Sequence, residues 1–273
     1  MPVDCAASEK LKRARSHLAN LKRQATKLGR DTSRHSVLVD YDPDEGHYVV
    51  YAKTRPEPLP NLSLFLGDVI HCARGALDFT AWQLACKHLG REPTDEQAPS
   101  IQFPITHTPG KFAKAKVLPF VSKKVWREMG RHQPHPGSDP DNDHLAVLQW
   151  ISNRDKHRLI VPLFADITPP LMPEYTLDPR APRGSGVEIR HTFLMGPRQG
   201  ASEDEIFYKG DPTTVKLGRL TLMPPLPNTK VYIDPQPPLN VLFGGPDGHL
   251  SMPDVEALLG HVKFVVGCFD RFF

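Results

Sequence analysis

The chain has 273 residues, of which 39% are hydrophobic, so it can bury a sizeable core in one large or two small domains. Its 34 lysines and arginines against 31 acidic residues give a net charge of only +3, which does not by itself indicate a nucleic-acid-binding protein. The four cysteines lack CxxC spacing, and the sequence has neither a signal-peptide-like apolar start nor an apolar run of transmembrane length. These features argue against a zinc ribbon, a disulfide framework and a membrane span, and they predict a cytoplasmic protein.

The first part of the chain predicts two long helices around a hairpin. Residues 5–29 contain no proline and carry apolar residues at spacings of three and four, which predicts a long amphipathic helix. Its many basic residues are interpreted as a solvated face, with phosphate contact as the alternative. The β-favouring runs 36–41 and 47–52 flank a turn-rich insert and predict a hairpin. After a proline cluster, a second helix is expected from about Asn61 or Ser63 to just before Gly90.

The middle of the chain mixes short elements. Residues 100–105 predict an extended piece, and residues 111–129 predict one helix or two separated at Pro119. The loop 132–143 is rich in proline and carries Asp139, Asp141 and Asp143. A further helix is expected at about 144–152, with these acidic groups favouring its start.

The remaining chain alternates prolines with β-favouring runs at 187–194, 216–223 and 231–233, before a final helix from Pro253 to about Phe272. The order of elements lacks regular βαβ alternation, so we predict an α+β fold. It would consist of a helical bundle with an inserted hairpin, an antiparallel β-rich C-terminal half, and a final helix that packs back on the bundle. The predicted divisions are residues 1–165 with the hairpin at about 36–52, residues 166–250, and residues 251–273.

Three polar residues lie close together on the otherwise apolar second helix. His71, Arg74 and Asp78 follow one edge of it, and the spacing lets Asp78 reach Arg74 four residues back. An arginine held in this way could order a neighbouring imidazole or grip a phosphate. It could equally belong to a structural network that fixes helix packing, since a buried arginine must be paired in either case.

A second polar cluster, residues 153–158, reads Asn-Arg-Asp-Lys-His-Arg and lies between apolar segments. Such side chains can cap the unpaired carbonyls of a helix end, which is the structural interpretation. The functional interpretation joins both clusters in one site, with imidazoles to move protons and cations to bind an anion. The candidate catalytic residues are then His71, Arg74, Asp78, Asp155 and His157. The candidate RNA-binding residues are Arg74, Lys156 and Arg158.

These motifs resemble those of a family of uncharacterised bacterial proteins. The matching segments are 67–78, 103–105 and 153–158, where the family pattern reads G-D-x-x-H-N-x-R-S-A-L-D-H, F-P-I and N-x-D-K-H-R. The resemblance covers most of the chain and implies kinship, but the family has no activity that could be carried over.

Part of the same pattern resembles the HEPN ribonucleases, which are helical bundles that cleave RNA without metal and often act as dimers. The shared feature is an arginine, four residues and a histidine. It implies RNA binding or metal-independent cleavage, and a homodimer. Here the histidine position is Phe79 and the position after Arg74 is Gly75, so Arg74 lacks its expected proton-transfer partner.

Other motifs are absent: there is no P-loop, no GxGxxG after a strand, no HExxH and no GxSxG. The alternating aspartates of the loop lack the glycine and glutamate of a calcium-binding EF-hand. We therefore predict no cofactor and no metal site.

Two hypotheses remain. The first is a non-enzymatic interaction or regulatory protein whose polar cluster is a structural core network. The alternative is a HEPN-like protein that binds or cleaves RNA, with His71 or His157 replacing the missing histidine. The sequence favours the first because of Phe79, and it leaves open whether the protein is an enzyme and whether its partner is RNA or a protein.

Overall fold

A computed structural model describes residues 4–31, 33, 35–54, 62–137, 139–155, 162–167, 175–177, 188–193, 214–223, 229–233, 239–245 and 248–273. Both helices and antiparallel strands are present, which confirms the predicted mixture of α and β structure. In this described part of the chain, no helix combines the length and apolar character that crossing a bilayer requires.

Six α-helices are described. They are α1 (Asp4–Gly29), α2 (Leu62–Leu89), α3 (Pro109–Phe112), α4 (Lys123–Arg131), α5 (His144–Asp155) and α6 (Met252–Cys268). Short 3-10 turns lie at Ala98–Ser100, Leu118–Phe120 and Asp270–Phe272. The long helices at both ends of the chain and the helix after the hairpin therefore lie where the apolar periodicity predicts them.

Local sequence signals explain where the shorter helices begin. Pro119 lies in the 3-10 turn that separates α3 from α4, so the segment forms two helices rather than one. The hydroxyl of Ser122 then caps α4 by accepting from the Val125 N–H at 3.3 Å. Ser251 and Asp254 form a reciprocal capping box at the start of α6.

The described strands pair only in antiparallel fashion. They are β1 (His35–Asp42), β2 (His47–Thr54), β3 (Pro162–Ile167), β4 (Tyr175–Leu177), β5 (Glu188–Phe193), β6 (Thr214–Met223), β7 (Val231–Ile233), β8 (Leu239–Gly245) and β9 (Gly248–Leu250). Their orders are β1-β2-β6-β5, β3-β8-β9 and β4-β7. The predicted β-rich half is described only at these strands.

The predicted hairpin is confirmed, because β1 and β2 pair in continuous register from His35–Thr54 to Asp42–His47. Gly46 occupies the turn at φ +68°, a conformation that other residues rarely adopt, and the Asp42 carboxylate accepts from the N–H of Asp44 at 3.0 Å. On its other side, β2 pairs with β6.

The chain divides into two compact units. The first comprises Met1–Lys22, Asn61–Val161 and Leu250–Phe273, and the second comprises Arg23–Pro60 and Pro162–His249. The hairpin therefore groups with the later strands through β6, whereas the sequence placed it within the helical region. The final helix groups with the earlier helices, in agreement with its apolar stripe.

The core of the first unit lies around α2. This helix packs against α5 and α6, and α5 also packs against α6. The largest side chains that are almost fully buried in this core include Leu66, Ile70, Leu77, Phe103, Met129, Leu148, Ile151 and Phe269. Arg74 and Asp78, two of the residues predicted to form a site, are partly exposed on α2 beside this core.

Candidate functional site

Arg74 and Asp78 form a two-pronged ion pair on α2. The Arg74 Nε donates to Asp78 Oδ2 at 3.1 Å, and Nη2 donates to Oδ1 at 2.8 Å. The two side chains are 14% and 31% exposed, so the pair is partly withdrawn from water. The spacing of four residues on one helix brings these groups together, as the sequence predicts.

The same pair fixes two segments that are distant in sequence. Arg74 Nη2 donates to the carbonyl of Phe103 at 2.7 Å, and the Phe103 N–H donates to Asp78 Oδ1 at 2.9 Å. Arg74 Nη1 donates to Gln149 Oε1 at 3.2 Å on α5. We call these four residues the Arg74 network, and it joins α2, the loop at 101–106 and α5.

The Arg74 network leaves little of the guanidinium for a ligand. Four of its five N–H groups already have acceptors within the protein. A phosphate held in bidentate fashion needs two neighbouring N–H groups, so it would have to displace Asp78, Phe103 or Gln149. A ligand would therefore compete with acceptors of the protein itself for this guanidinium.

The Phe-Pro-Ile loop is also held from its other side by Gln133. This side chain is only 3% exposed, and its Oε1 accepts from the N–H of Thr106 at 2.9 Å. Its Nε2 donates to the carbonyls of Pro104 and Met129 at 2.8 and 3.0 Å. These bonds explain why the predicted extended piece is an irregular loop, because its backbone bonds to side chains instead of a partner strand. Gln133 was not among the residues predicted to form a site.

The other predicted site residues do not join the Arg74 network in the described structure. His71 is exposed on α2 and makes no described hydrogen bond to Arg74 or Asp78. The side chain of Asp155 lies outside the described residues, as do Lys156, His157 and Arg158. The single site that would combine both polar clusters therefore stays a prediction.

Phe79 occupies the position where the HEPN pattern has histidine. Its ring is 39% exposed, and the Lys10 ammonium from α1 lies 5.8 Å from the ring centroid. A phenyl ring cannot accept or donate a proton, so it offers a packing surface and a cation–π contact instead. Arg74 therefore gains no general acid or base from this position.

The three loop aspartates have separate local roles. Asp139 accepts from the side-chain amide of Asn142 at 2.7 Å, and Asp141 lies 3.2 Å from His107. Asp143 accepts from the Leu145 N–H at 2.8 Å and so caps the start of α5. This last contact agrees with the predicted helix start.

A basic surface on α3, α4 and their connection was not singled out by the sequence analysis. Residues 107–131 carry seven lysines and arginines against one acid, Glu128. All seven cations are exposed, whereas Glu128 is buried and paired with Arg131 and Arg271. The seven are Lys111, Lys114, Lys116, Lys123, Lys124, Arg127 and Arg131. The sequence signal was the run of lysines around Pro119, which the nearly neutral net charge conceals.

Part of this surface is concave. A cavity of about 530 Å³ is lined by Lys114, Lys116 and Lys123 together with Trp126 and the apolar residues of the connecting turn. No acidic residue lines it among the described residues, and none of these three lysines has a described ion-pair partner. We call these three lysines with Trp126 the basic pocket.

The ring of Trp126 packs against a buried phenylalanine. Its ring is stacked on the buried Phe112, with centroids 6.4 Å apart and an interplanar angle of 23°. Phe112 in turn lies against Gly130, where an added Cβ would come within 3.0 Å of the ring. Gly130 thus leaves room for Phe112, which holds the indole in place while 37% of Trp126 stays exposed.

Neither a protein-family model nor a curated protein nor a solved structure shows significant similarity to this chain. The resemblances to the bacterial family and to the HEPN ribonucleases therefore stay predictions, and the function is inferred from the geometry of the residues.

Proposed function

We propose that the protein is a non-enzymatic interaction protein that binds single-stranded RNA through the basic pocket, while the Arg74 network stabilises the helical unit. The observation that carries this proposal is the set of seven exposed cations whose one acidic neighbour in the segment is already paired and buried.

The chemistry of the basic pocket suits phosphates. Lysine ammonium groups without an acidic partner remain available to neutralise phosphate charge, and the counterions released from the nucleic acid favour binding. Concave placement brings Lys114, Lys116 and Lys123 around one space, so a bound strand can contact more than one of them.

Trp126 favours a single strand over a duplex. An exposed indole ring among cations provides a stacking surface for an unpaired base, whereas the bases of a duplex are already stacked on each other. Its stacking on Phe112 reduces the freedom lost on binding.

A non-catalytic role is supported by the positions of the predicted catalytic groups. Arg74 is engaged by three protein partners, and the position of the HEPN histidine is Phe79. The alternative of HEPN-like cleavage through His71 or His157 remains as an outcome of the experiment below.

The test measures binding of the full chain to a labelled single-stranded RNA of about 12 nucleotides by fluorescence anisotropy at several salt concentrations. We expect the triple variant Lys114→Gln, Lys116→Gln, Lys123→Gln to lose affinity by about tenfold or more. Its salt dependence should also weaken, by roughly 0.7 in slope for each phosphate that is no longer neutralised. Trp126→Ala should weaken binding by about 1–3 kcal/mol.

The matched control removes three exposed cations from α1 by changing Arg13, Arg15 and Lys27 to Gln. Near wild-type affinity in this control supports the basic pocket. An equal decrease in both triple variants would mean that binding follows net charge, and the absence of wild-type binding would overturn the proposal. Each RNA is also incubated with the protein in EDTA, where cleavage would establish the enzymatic alternative.

A further inference from the structure

A second polar cluster, partly buried, lies where the ends of α4 and α6 come together. It consists of Glu128, His132 and Cys268, and we call it the Glu128 cluster. One carboxylate oxygen, one imidazole nitrogen and the thiol sulfur lie within 4.8 Å of one another. Glu128 and His132 are four residues apart at the end of one helix, whereas Cys268 comes from a helix far downstream.

The two carboxylate oxygens of Glu128 have different partners. Its side chain is only 7% exposed; Oε2 accepts from Arg131 at 2.9 Å and forms an ion pair with Arg271 Nη2 at 2.5 Å. Oε1 faces His132 Nε2 at 3.3 Å. The arginines thus lie against Oε2, while Oε1 faces the imidazole.

The imidazole of His132 is held by two aromatic rings. Phe264 meets it edge to face at a centroid distance of 5.9 Å, and Phe269 lies at 6.0 Å. Phe269 is fully buried and also packs on Phe103, so one side of the imidazole contacts a side chain anchored in the core. A fixed ring orientation is what a metal-ligating histidine needs, because it places the nitrogen lone pair before binding.

Cys268 lies beside an open cleft. The cleft has a volume of about 520 Å³, and its lining includes Lys263, Phe264 and Cys268. Cys268 thus belongs to the Glu128 cluster and also lines a space large enough for water or a small ligand.

We propose that Glu128, His132 and Cys268 bind one zinc ion through a carboxylate oxygen, an imidazole nitrogen and a thiolate sulfur. Water from the cleft would take the fourth position. Calcium and magnesium prefer oxygen ligands alone, whereas zinc accepts oxygen, nitrogen and sulfur in a tetrahedral arrangement. On binding, zinc replaces the thiol proton, which passes to solvent, and the neutral imidazole binds through the ring nitrogen that carries no proton, its proton lying on the other nitrogen. Arg131 and Arg271 then act as positioning residues that hold the carboxylate from its other oxygen.

This proposal revises the prediction that the chain has no metal site. The spacing of Glu128 and His132 was visible in the sequence, but two ligands on one helix are common without a metal. Cys268 completes the set only through the packing of α6.

The test titrates the full chain, treated with EDTA and then desalted, with Co²⁺ as a spectroscopic probe. We expect about one equivalent to bind with the visible bands of tetrahedral cobalt and a thiolate charge-transfer band, both displaced by Zn²⁺. Cys268→Ser should abolish the charge-transfer band and weaken affinity by at least about tenfold, the scale that even supporting groups contribute at metal sites. His132→Gln should weaken affinity similarly.

The matched controls are Cys86→Ser and His144→Gln, which remove the same ligand types elsewhere in the helical unit. Circular dichroism of each metal-free variant establishes that it is folded before the titration. Wild-type binding in both controls supports the proposal. The proposal is overturned if the wild-type protein binds no cobalt, or if folded Cys268→Ser keeps the charge-transfer band.

Discussion

The Arg74 network and the basic pocket use the same kind of charge in opposite ways. The guanidinium of Arg74 is 14% exposed and donates to a carboxylate, a backbone carbonyl and an amide oxygen. Lys114, Lys116 and Lys123 are exposed and have no described acidic partner. A cation whose donors are satisfied inside the protein stabilises the fold, whereas an unpaired cation on the surface remains available to a ligand.

The largest expected effect comes from removing the carboxylate of the network. Asp78→Ala leaves Arg74 unpaired and also removes the acceptor of the Phe103 N–H. We expect the free energy of unfolding to fall by about 2–3 kcal/mol, below the usual cost of breaking a fully buried pair because Asp78 is partly exposed. Urea denaturation followed by circular dichroism measures this change.

The control is Asp68→Ala, which removes a carboxylate that is 56% exposed from the same helix. Its effect should stay within about 0.5 kcal/mol. Equal stability of the two variants would show that the carboxylate of Asp78 contributes no more to stability than an exposed carboxylate on the same helix. RNA affinity should be the same for both variants under conditions where they are folded.

A smaller change in stability is expected when two helical glycines, Gly130 and Gly260, are each replaced by alanine. The comparison tests how tightly Phe112 is packed against Trp126. Gly260→Ala in α6 meets nothing within 4 Å, so it should raise the free energy of unfolding by about 0.5–1 kcal/mol. At Gly130 the new methyl group would come within 3.0 Å of Phe112, and this overpacking should cancel the gain, leaving the variant about 1 kcal/mol less stable than Gly260→Ala.

The Gly130→Ala variant should also shift the fluorescence of Trp126, because Phe112 must move beneath the indole. The chain has two other tryptophans, so the shift is measured against Trp126→Ala. Equal stabilisation by both alanines, with unchanged fluorescence, would show that Phe112 is not tightly held.

The smallest effect concerns His261, whose charged form is disfavoured by burial. Burial, with smaller contributions from the charges of His144 and His132, lowers the pKa of His261, and the charge on Asp143 only partly opposes this. The folded state therefore binds this proton less readily than the unfolded state. The contribution of His261 to the free energy of unfolding is therefore complete above the pKa that it has in the unfolded chain. This contribution is lost as the pH falls through the lower pKa that it has in the folded state.

We expect the melting temperature of the metal-free protein to fall on acidification below about pH 6.5, the ordinary histidine value. His261→Gln should reduce this fall, whereas the exposed His88→Gln should leave it unchanged. Identical pH profiles for the wild-type and His261→Gln proteins would show that His261 does not cause the loss of stability at acidic pH.

Features that depend on neighbouring residues were predictable from the sequence. The apolar period of α2 and the turn at Gly46 act within a few residues, and the structure contains the helix and the hairpin they predict. The pairing of Arg74 with Asp78 is equally local, since four residues bring both to one edge of a helix.

Features that depend on tertiary packing were not predictable. Nothing in the sequence near β2 indicates β6 as its partner, and nothing near Arg74 indicates Gln149. The basic pocket was missed for another reason. Its excess of cations over acids is visible in the sequence but is concealed by the nearly neutral net charge of the chain, and the concave arrangement of Lys114, Lys116 and Lys123 depends on the packing of α3 and α4.

The Arg74 network also has a kinetic consequence. Its three longer-range hydrogen bonds join residues that are 25, 29 and 75 positions apart, so the chain must close these long loops before the network can form. We therefore expect it to form after the folding transition state, with Asp78→Ala accelerating unfolding more than it slows folding. Unfolding rates in a stopped-flow denaturant series measure this, and a slowed folding limb would place the network in the nucleus. If unfolding alone is accelerated, the Arg74 network determines how long the helical unit stays folded rather than how fast it folds.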